Sequence, residues 1–213
     1  MIDTLAGPLF RDRSEAGLAL AEALGGERQP DTVVVGLARG GVPVAAEIAR
    51  VLEATLDAVA VRKVRHPRQP EYAIGAVDPL GGLFLRSRNG LTNSQVSLAV
   101  ADAQRSAEEL DRRLHPLGRS PALAGRRALI IDDGLATGAT MVAAARWAWG
   151  RGATRVVSAA PVGSTQGVDL LRREANLVVC LYTFSHFDSV GRWYREFSQV
   201  DDAEVARILA VSE

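Results

Sequence analysis

Asp132 and Asp133, adjacent in the chain, are the residues whose types and placement point most directly to chemistry. They follow four apolar residues, Ala128–Ile131, a short bounded run that reads as a buried strand. After them comes the small loop Gly134-Leu135-Ala136-Thr137-Gly138. From Ala139 the residues turn helical, with Met141, Val142 and Ala145 on an apolar face. A loop feeding a helix N-terminus presents unpaired N–H groups at the positive end of the helix dipole, which suits a phosphate. Thr137 and Thr140 can add hydroxyl donors. Two carboxylates beside such a cradle imply a ligand with a phosphate at one end and hydroxyls nearby, as in a ribose 5-phosphate. The loop lacks the Gly-Lys-Ser/Thr of a P-loop. Its acids also precede the glycines, whereas a dinucleotide fingerprint carries its acid about 20 residues further on. A plain helix-capping turn after an α/β strand is the simpler alternative.

The order of four apolar residues, two acids, a small loop, Thr-Gly and a final Thr resembles the phosphoribosyl pyrophosphate (PRPP) loop of type I phosphoribosyltransferases. Every position of that pattern matches from Ala128 to Thr140. A second strand–glycine–helix junction lies upstream: the run Thr32–Gly36, then Leu37-Ala38-Arg39-Gly40-Gly41, then a helix from Val42 to Leu52 with Pro43 in its first turn. Alone, Arg-Gly-Gly could be an ordinary turn. Its place before the main motif resembles the family's pyrophosphate loop. Lys63 is the only lysine in a chain that otherwise uses Arg. Codon bias can explain the Arg excess but not the exception, and a compact, flexible ammonium differs chemically from a guanidinium.

The resemblance implies an α/β fold, with a mostly parallel central sheet flanked by helices, in one domain over 1–213. It also implies a flap insertion at about 64–93 and a small aromatic hood at about 183–213, joined by the N-terminal residues. The implied activity is transfer of the ribose 5-phosphate of PRPP to a nitrogen nucleophile, a nucleobase, with Mg²⁺ and release of pyrophosphate. Catalytic roles then fall to Asp132, Asp133, Lys63 and Arg39. Gly134, Leu135, Ala136, Thr137, Gly138, Ala139 and Thr140 would hold the 5-phosphate, and Ala38, Arg39, Gly40, Gly41 and Lys63 the pyrophosphate. Asp132 and Asp133 would reach Mg²⁺ through water and substrate. Phe187, Trp193 and Tyr194 would stack the base. A PRPP- or nucleotide-sensing regulator on the same fold is the alternative, and a transferase or hydrolase of another ribosyl phosphate stays open.

The other elements are read from periodicity and punctuation. Phe10–Leu24 has helical spacing, with Asp12 or Ser14 as cap and Gly25-Gly26 as stop. Leu56–Val61 reads as a strand ending in Arg62-Lys63-Val64-Arg65. His66–Asn93 turns Pro-, Gly- and polar-rich, with apolar pieces Ala73–Val77 and Leu83–Leu85 that suit a small antiparallel ribbon. That ribbon is either a functional flap or an arm for packing or dimerisation. Thr92-x-x-Gln95 is a capping box opening a long helix to about Leu114. Further strands are expected at Arg155–Ala160 and Leu177–Tyr182. Helices are expected from Ser164 to Ala175 and over Asp201–Val211. The aromatics after Tyr182 either face a flat heterocycle or form a mini-core, and both can hold at once.

Composition narrows the function classes. The chain has 213 residues, is 47% hydrophobic and carries no net charge, so it shows neither a disorder signature nor a nucleic-acid footprint. No apolar run approaches the ~20 residues of a membrane span. Met1-Ile2-Asp3-Thr4 has no signal-peptide character. These features lead us to expect a soluble, cytoplasmic protein with small-molecule partners; a homodimer is left open. Cys180 lies in an apolar run and reads as a small buried hydrophobe. His66, His115 and His186 show no zinc-ligand spacing, and Gly163-Ser164 lacks a nucleophile elbow.

One residue bears on the base. In phosphoribosyltransferases that act on 6-oxopurines, the residue before the loop's Thr-Gly is commonly an Asp that handles the purine proton. This chain has Ala136 there, which resembles the adenine and uracil enzymes. Ala carries no proton. Proton handling would then fall to Glu71, Asp188 or a backbone carbonyl, and hypoxanthine and guanine are expected to be poor acceptors.

Overall fold

A computed structural model describes residues 7–115 and 122–211. Its centre is a five-stranded sheet of β1 (Thr32–Leu37), β2 (Thr55–Val59), β6 (Arg127–Ile131), β7 (Arg155–Ser164) and β8 (Leu177–Phe184). The strand order is β2-β1-β6-β7-β8, and every pairing is parallel. Fully apolar strands suit this position, because a parallel sheet is covered on both faces. Alternate residues serve opposite faces: Val33, Val35, Ala128 and Ile130 enter one core, while Val34, Leu129 and Ile131 enter the other. Helices α1 (Arg13–Ala23) and α2 (Gly41–Leu52) cover the second face. Helix α4 (Ala139–Gly150) covers the first.

The chain leaves β1 for β2 on one side, and the later strands β6, β7 and β8 build outward on the other. The loops after β1 and β6 therefore diverge at the carboxyl end of the sheet. This is the switch point at which open α/β sheets bind ligands. Residues 38–41 and 132–138 are those two loops.

The interval expected to hold a ribbon forms a three-stranded antiparallel sheet: β3 (Arg62–His66), β4 (Gln69–Val77) and β5 (Leu83–Leu85). It starts two residues earlier than the insertion read from sequence. The run Leu56–Val61 is accordingly not one strand. β2 stops at Val59, and β3 begins at Arg62. Lys63 thus stands within β3 instead of at a strand end. The inner face of the small sheet, Val64, Ile74 and Val77, packs with Val96 and Ala103 of α3 (Asn93–Leu114). Phe84 and Ala76 pack in the same core as α4, which explains why α4 is apolar nearly all round: it lies between two sheets. The tip of the β3–β4 hairpin, residues 67–72, is exposed throughout.

Asp12 caps α1, which begins at Arg13 and not at Phe10. The Thr92–Gln95 capping box opens α3 as expected. Ser164 caps α5 (Thr165–Leu171), which is shorter than the stretch to Ala175. The last helix, α6, spans Asp202–Val211. Among the described residues no helix is long and apolar enough to cross a membrane. The expectation about Met1–Thr4 lies outside the described residues.

Candidate active site

The acidic loop is held by the strand beside it. Asp132 N donates to Ala159 O at 3.2 Å and Leu135 N to Val162 O at 2.9 Å, while Ser164 N donates to Leu135 O at 2.8 Å. The Ser164 hydroxyl donates to Ala136 O at 2.5 Å and accepts from Gly167 N at 2.9 Å. β7, still paired with β8, therefore runs past the end of β6 to carry the loop, and Leu135 bridges Gly163. Gly138, at φ 75°, is the N-cap of α4 and supplies no side-chain acceptor. The positive φ favours glycine here. The first N–H groups of α4 consequently face the loop without a capping side chain, as an anion cradle requires.

The loop after β1 abuts this one. A Cβ on Gly41 would lie 2.5 Å from Ile131 O, and one on Gly40 would lie 2.1 Å from Asp133 Oδ2. Only glycine permits that approach. The Ala38–Arg39 peptide is cis. Arg39 pairs with Asp202 of α6 at 3.4 Å, and Arg113 pairs with the same carboxylate at 3.0 Å. Nearby Arg62 is half-buried. Burial and the Arg39 charge lower its pKa, and Asp202 only partly offsets them. Three guanidiniums around one carboxylate leave this end of the site positive.

Arg39, Lys63, Asp132, Asp133 and the loop from Gly134 to Gly138, with Thr140, line one cavity of about 180 Å³. A wider cleft of about 920 Å³ shares Ala38, Arg39, Lys63 and Thr140 with it and opens between the β3–β4 hairpin and α3. The structure thus brings together three groups that are far apart in sequence. Burial, then the charge of Asp133, raises the Asp132 pKa well above the carboxylate range, and Lys63 works against that shift. Burial also raises Asp133, but Arg13 opposes it through an ion pair of 2.9 Å. Both side chains are half-buried and face the 180 Å³ cavity.

The aromatic residues expected to stack a base are placed differently. Trp193 and Tyr194 are each 4% exposed. Trp193 stacks on Phe184 at 3.9 Å, with Phe187 on it at 6.2 Å. Tyr194 lies between Phe10 and Phe197, and its hydroxyl donates to Asp133 O at 2.7 Å. The mini-core reading therefore describes both rings, with Phe187 and Tyr182 half-buried beside them. The residue of this tail that lines the 180 Å³ cavity is Val190. Glu71 lies at the exposed hairpin tip, and exposed Asp188 pairs with Arg192 at 2.8 Å.

Sequence reasoning missed Arg13, Arg62 and the Ser164 clamp on the loop. Arg62 adjoins Lys63 and could have been weighed with it. Arg13 is 120 positions from its acid, so no local spacing announces it.

Comparison with known proteins adds three findings. The sequence model described as "Phosphoribosyl transferase domain" matches residues 15–190. The Mycobacterium tuberculosis (strain ATCC 25618 / H37Rv) protein named "Putative phosphoribosyl transferase Rv0571c" is 42% identical over 206 residues, which cover 94% of this chain and 46% of that protein. The chain thus spans about half the length of the curated relatives it matches. Among solved structures, TT1426 from Thermus thermophilus is 40% identical, with a TM-score of 0.80 over 94% of this chain and 97% of that one. A hypoxanthine phosphoribosyltransferase from Staphylococcus aureus is similar in fold alone, at 13% identity and a TM-score of 0.50 over 86% and 83% of the two chains.

Proposed function

The chain belongs to the phosphoribosyl transferase domain family, type I, and from that premise we propose that it moves the ribose 5-phosphate of PRPP onto a nitrogen nucleophile, a nucleobase, releasing pyrophosphate. The observation that carries the reading is the single cavity shared by Arg39, Lys63, Asp132, Asp133 and the loop before α4. PRPP has a phosphate, vicinal hydroxyls and a pyrophosphate in that order. The cavity offers an amide cradle, two acids and a cationic end.

In this reading the amides and hydroxyls of Gly134–Thr140 bind the 5-phosphate, each charge-assisted hydrogen bond contributing roughly 1.5–3 kcal/mol. Asp132 and Asp133 accept from the ribose hydroxyls. They lie near the carbon that gains positive charge as the pyrophosphate bond breaks, so they favour the transition state over the ground state. Arg39, the adjoining amides of residues 38–41 and Lys63 take up the charge of the departing pyrophosphate, with Arg62 close behind. Among the described residues no three His, Cys, Asp or Glu are placed to hold a metal ion. Two neighbouring carboxylates fit Mg²⁺ held mainly by substrate oxygens and water, the usual habit of that ion. When bound, it would neutralise pyrophosphate charge.

Ala136 is exposed at the cavity wall and offers no proton, so hypoxanthine and guanine should be poor acceptors. One observation favours a second reading, a PRPP- or nucleotide-sensing protein: Trp193 and Tyr194 are packed away from the cavity and offer no stacking face to a base.

Steady-state pyrophosphate release from PRPP and Mg²⁺, with a panel of bases, tests the proposal. We expect base-dependent release, with hypoxanthine and guanine well below adenine, uracil or another heterocycle. Turnover fastest with hypoxanthine or guanine would refute the Ala136 argument. Binding without release for any base would favour the sensor, and release independent of base would indicate a hydrolase.

A further inference from the structure

Two chain segments outside the matched residues 15–190 converge on one acid of the loop. From the N-terminal side comes Arg13, whose side chain is only 11% exposed. Its Nε donates to Asp133 Oδ2 at 2.9 Å, and its Nη1 donates to Ser198 O at 2.9 Å. The guanidinium lies 3.9 Å over the Phe197 ring, which in turn stacks on Tyr194 at 5.0 Å. Tyr194 closes the circuit by donating to the Asp133 carbonyl. The segments are also joined directly: Leu9 N and Phe10 N donate to Trp193 O, and Arg195 N donates to Phe10 O.

The acid held in this way is not simply a wall of the cavity. Its carboxylate covers Gly40 so closely that a Cβ there would lie 2.1 Å from Oδ2. Asp133 is thus the side-chain contact between the loop after β1 and the loop after β6, beside the backbone approach of Gly41 to Ile131 and Asp132, and Arg13 fixes its rotamer from behind. A ligand with an anionic group at each end needs both cradles at a set separation before it arrives, or binding must supply the ordering.

We propose that Arg13 is a positioning residue that, by holding Asp133 against Gly40, fixes the separation of the two anion-binding loops. The proposal rests on the reading that PRPP spans both loops. Its signature is selective. A ligand that bridges the loops loses the advantage of a fixed second site, whereas a ligand that uses one loop loses little.

Calorimetry on Arg13→Gln with three ligands reads this directly. PRPP with Mg²⁺ should bind about tenfold more weakly, whereas ribose 5-phosphate alone and pyrophosphate alone should each change by less than about threefold. Phe197→Leu, which removes the ring beneath the guanidinium, should show the same pattern more mildly, and it replaces Arg13→Gln if that variant does not fold. Equal weakening of all three ligands, or no weakening of any, would overturn the proposal. Hydrogen exchange on the free protein separates this outcome from failure of the functional reading. If wild-type protein binds no PRPP, faster exchange at the amides of 40–41 and 133–135 in Arg13→Gln, with β7 unchanged, still supports the positioning role. Unchanged exchange in both loops would overturn it.

Discussion

Lys63 is exposed on β3, yet it lines both the small cavity and the wide cleft, and its charge acts on Asp132. Those facts separate its effect on folding from its effect on binding. Lys63→Ala should move stability by no more than about 0.5 kcal/mol, as exposed substitutions usually do. Loss of one charge-assisted contact should weaken pyrophosphate binding by about 10- to 100-fold. A melting scan beside a pyrophosphate titration checks both, and a large fall in melting temperature with unchanged affinity would make Lys63 structural. At this scale the placement of the acids, the glycine loop before α4 and the Arg-Gly-Gly turn at one cavity was legible, because each is a contiguous motif at a strand-to-helix junction. Arg13 was not legible, because its partner is 120 positions away. The aromatic tail was legible only as two alternatives. Ring composition does not say whether Trp193 stacks on a ligand or on Phe184, and packing decided it.

Among the elements, α3 shows a charged staple added to apolar packing, since Leu110 and Leu114 already pack with Ala58 and Ala60. His115, its C-cap, places Nε2 2.8 Å from Asp57 Oδ1 on β2 and Nδ1 3.2 Å from Asp111 Oδ1. Burial works against the imidazolium, but the hydrogen bonds to Asp111 and Asp57 outweigh it and raise the pKa from 6.5 to about 10. A folded-state pKa above the unfolded one means stability that is fully present below about pH 6.5 and lost as pH rises through about 10. Urea unfolding of wild type should therefore show declining stability across that window, with a much flatter profile in His115→Gln. That variant should also lose about 1.5–3 kcal/mol at neutral pH, because the charge-assisted hydrogen bond between His115 and Asp57 is lost. Parallel profiles for the two proteins would show that the staple carries no charge. Helix α3 and its capping box were readable from spacing. The length of β7 was not: Pro161-Val162-Gly163-Ser164 lacks strand character, and it is extended because β8 pairs with it through Ser164 on one side while Leu135 bridges it on the other. The break between β2 and β3 was hidden for the opposite reason, since Ala60 and Val61 are as apolar and buried as the strand before them.

At the scale of the whole molecule, the site follows from topology. β1 and β6 are neighbours at the point where the sheet's order reverses, so two loops separated by some ninety positions open side by side. Glycines at 40 and 41 let them touch. The small sheet supplies Lys63 from a third direction, and the flanks outside the matched residues 15–190 brace Asp133 from a fourth. The fold class was legible because apolar runs alternate with helical stretches, but strand order and the bracing flanks are long-range facts that no local pattern records. The central claim, that these parts form one PRPP site, is tested most directly by calorimetry of PRPP with Mg²⁺ on wild type and on the Asp132→Asn/Asp133→Asn double variant. The account predicts saturable binding at one site per chain in wild type, weakened about 100-fold or more in the double variant if each acid supplies a charge-assisted contact of roughly 1.5–3 kcal/mol. Equal affinity in the two proteins would contradict it.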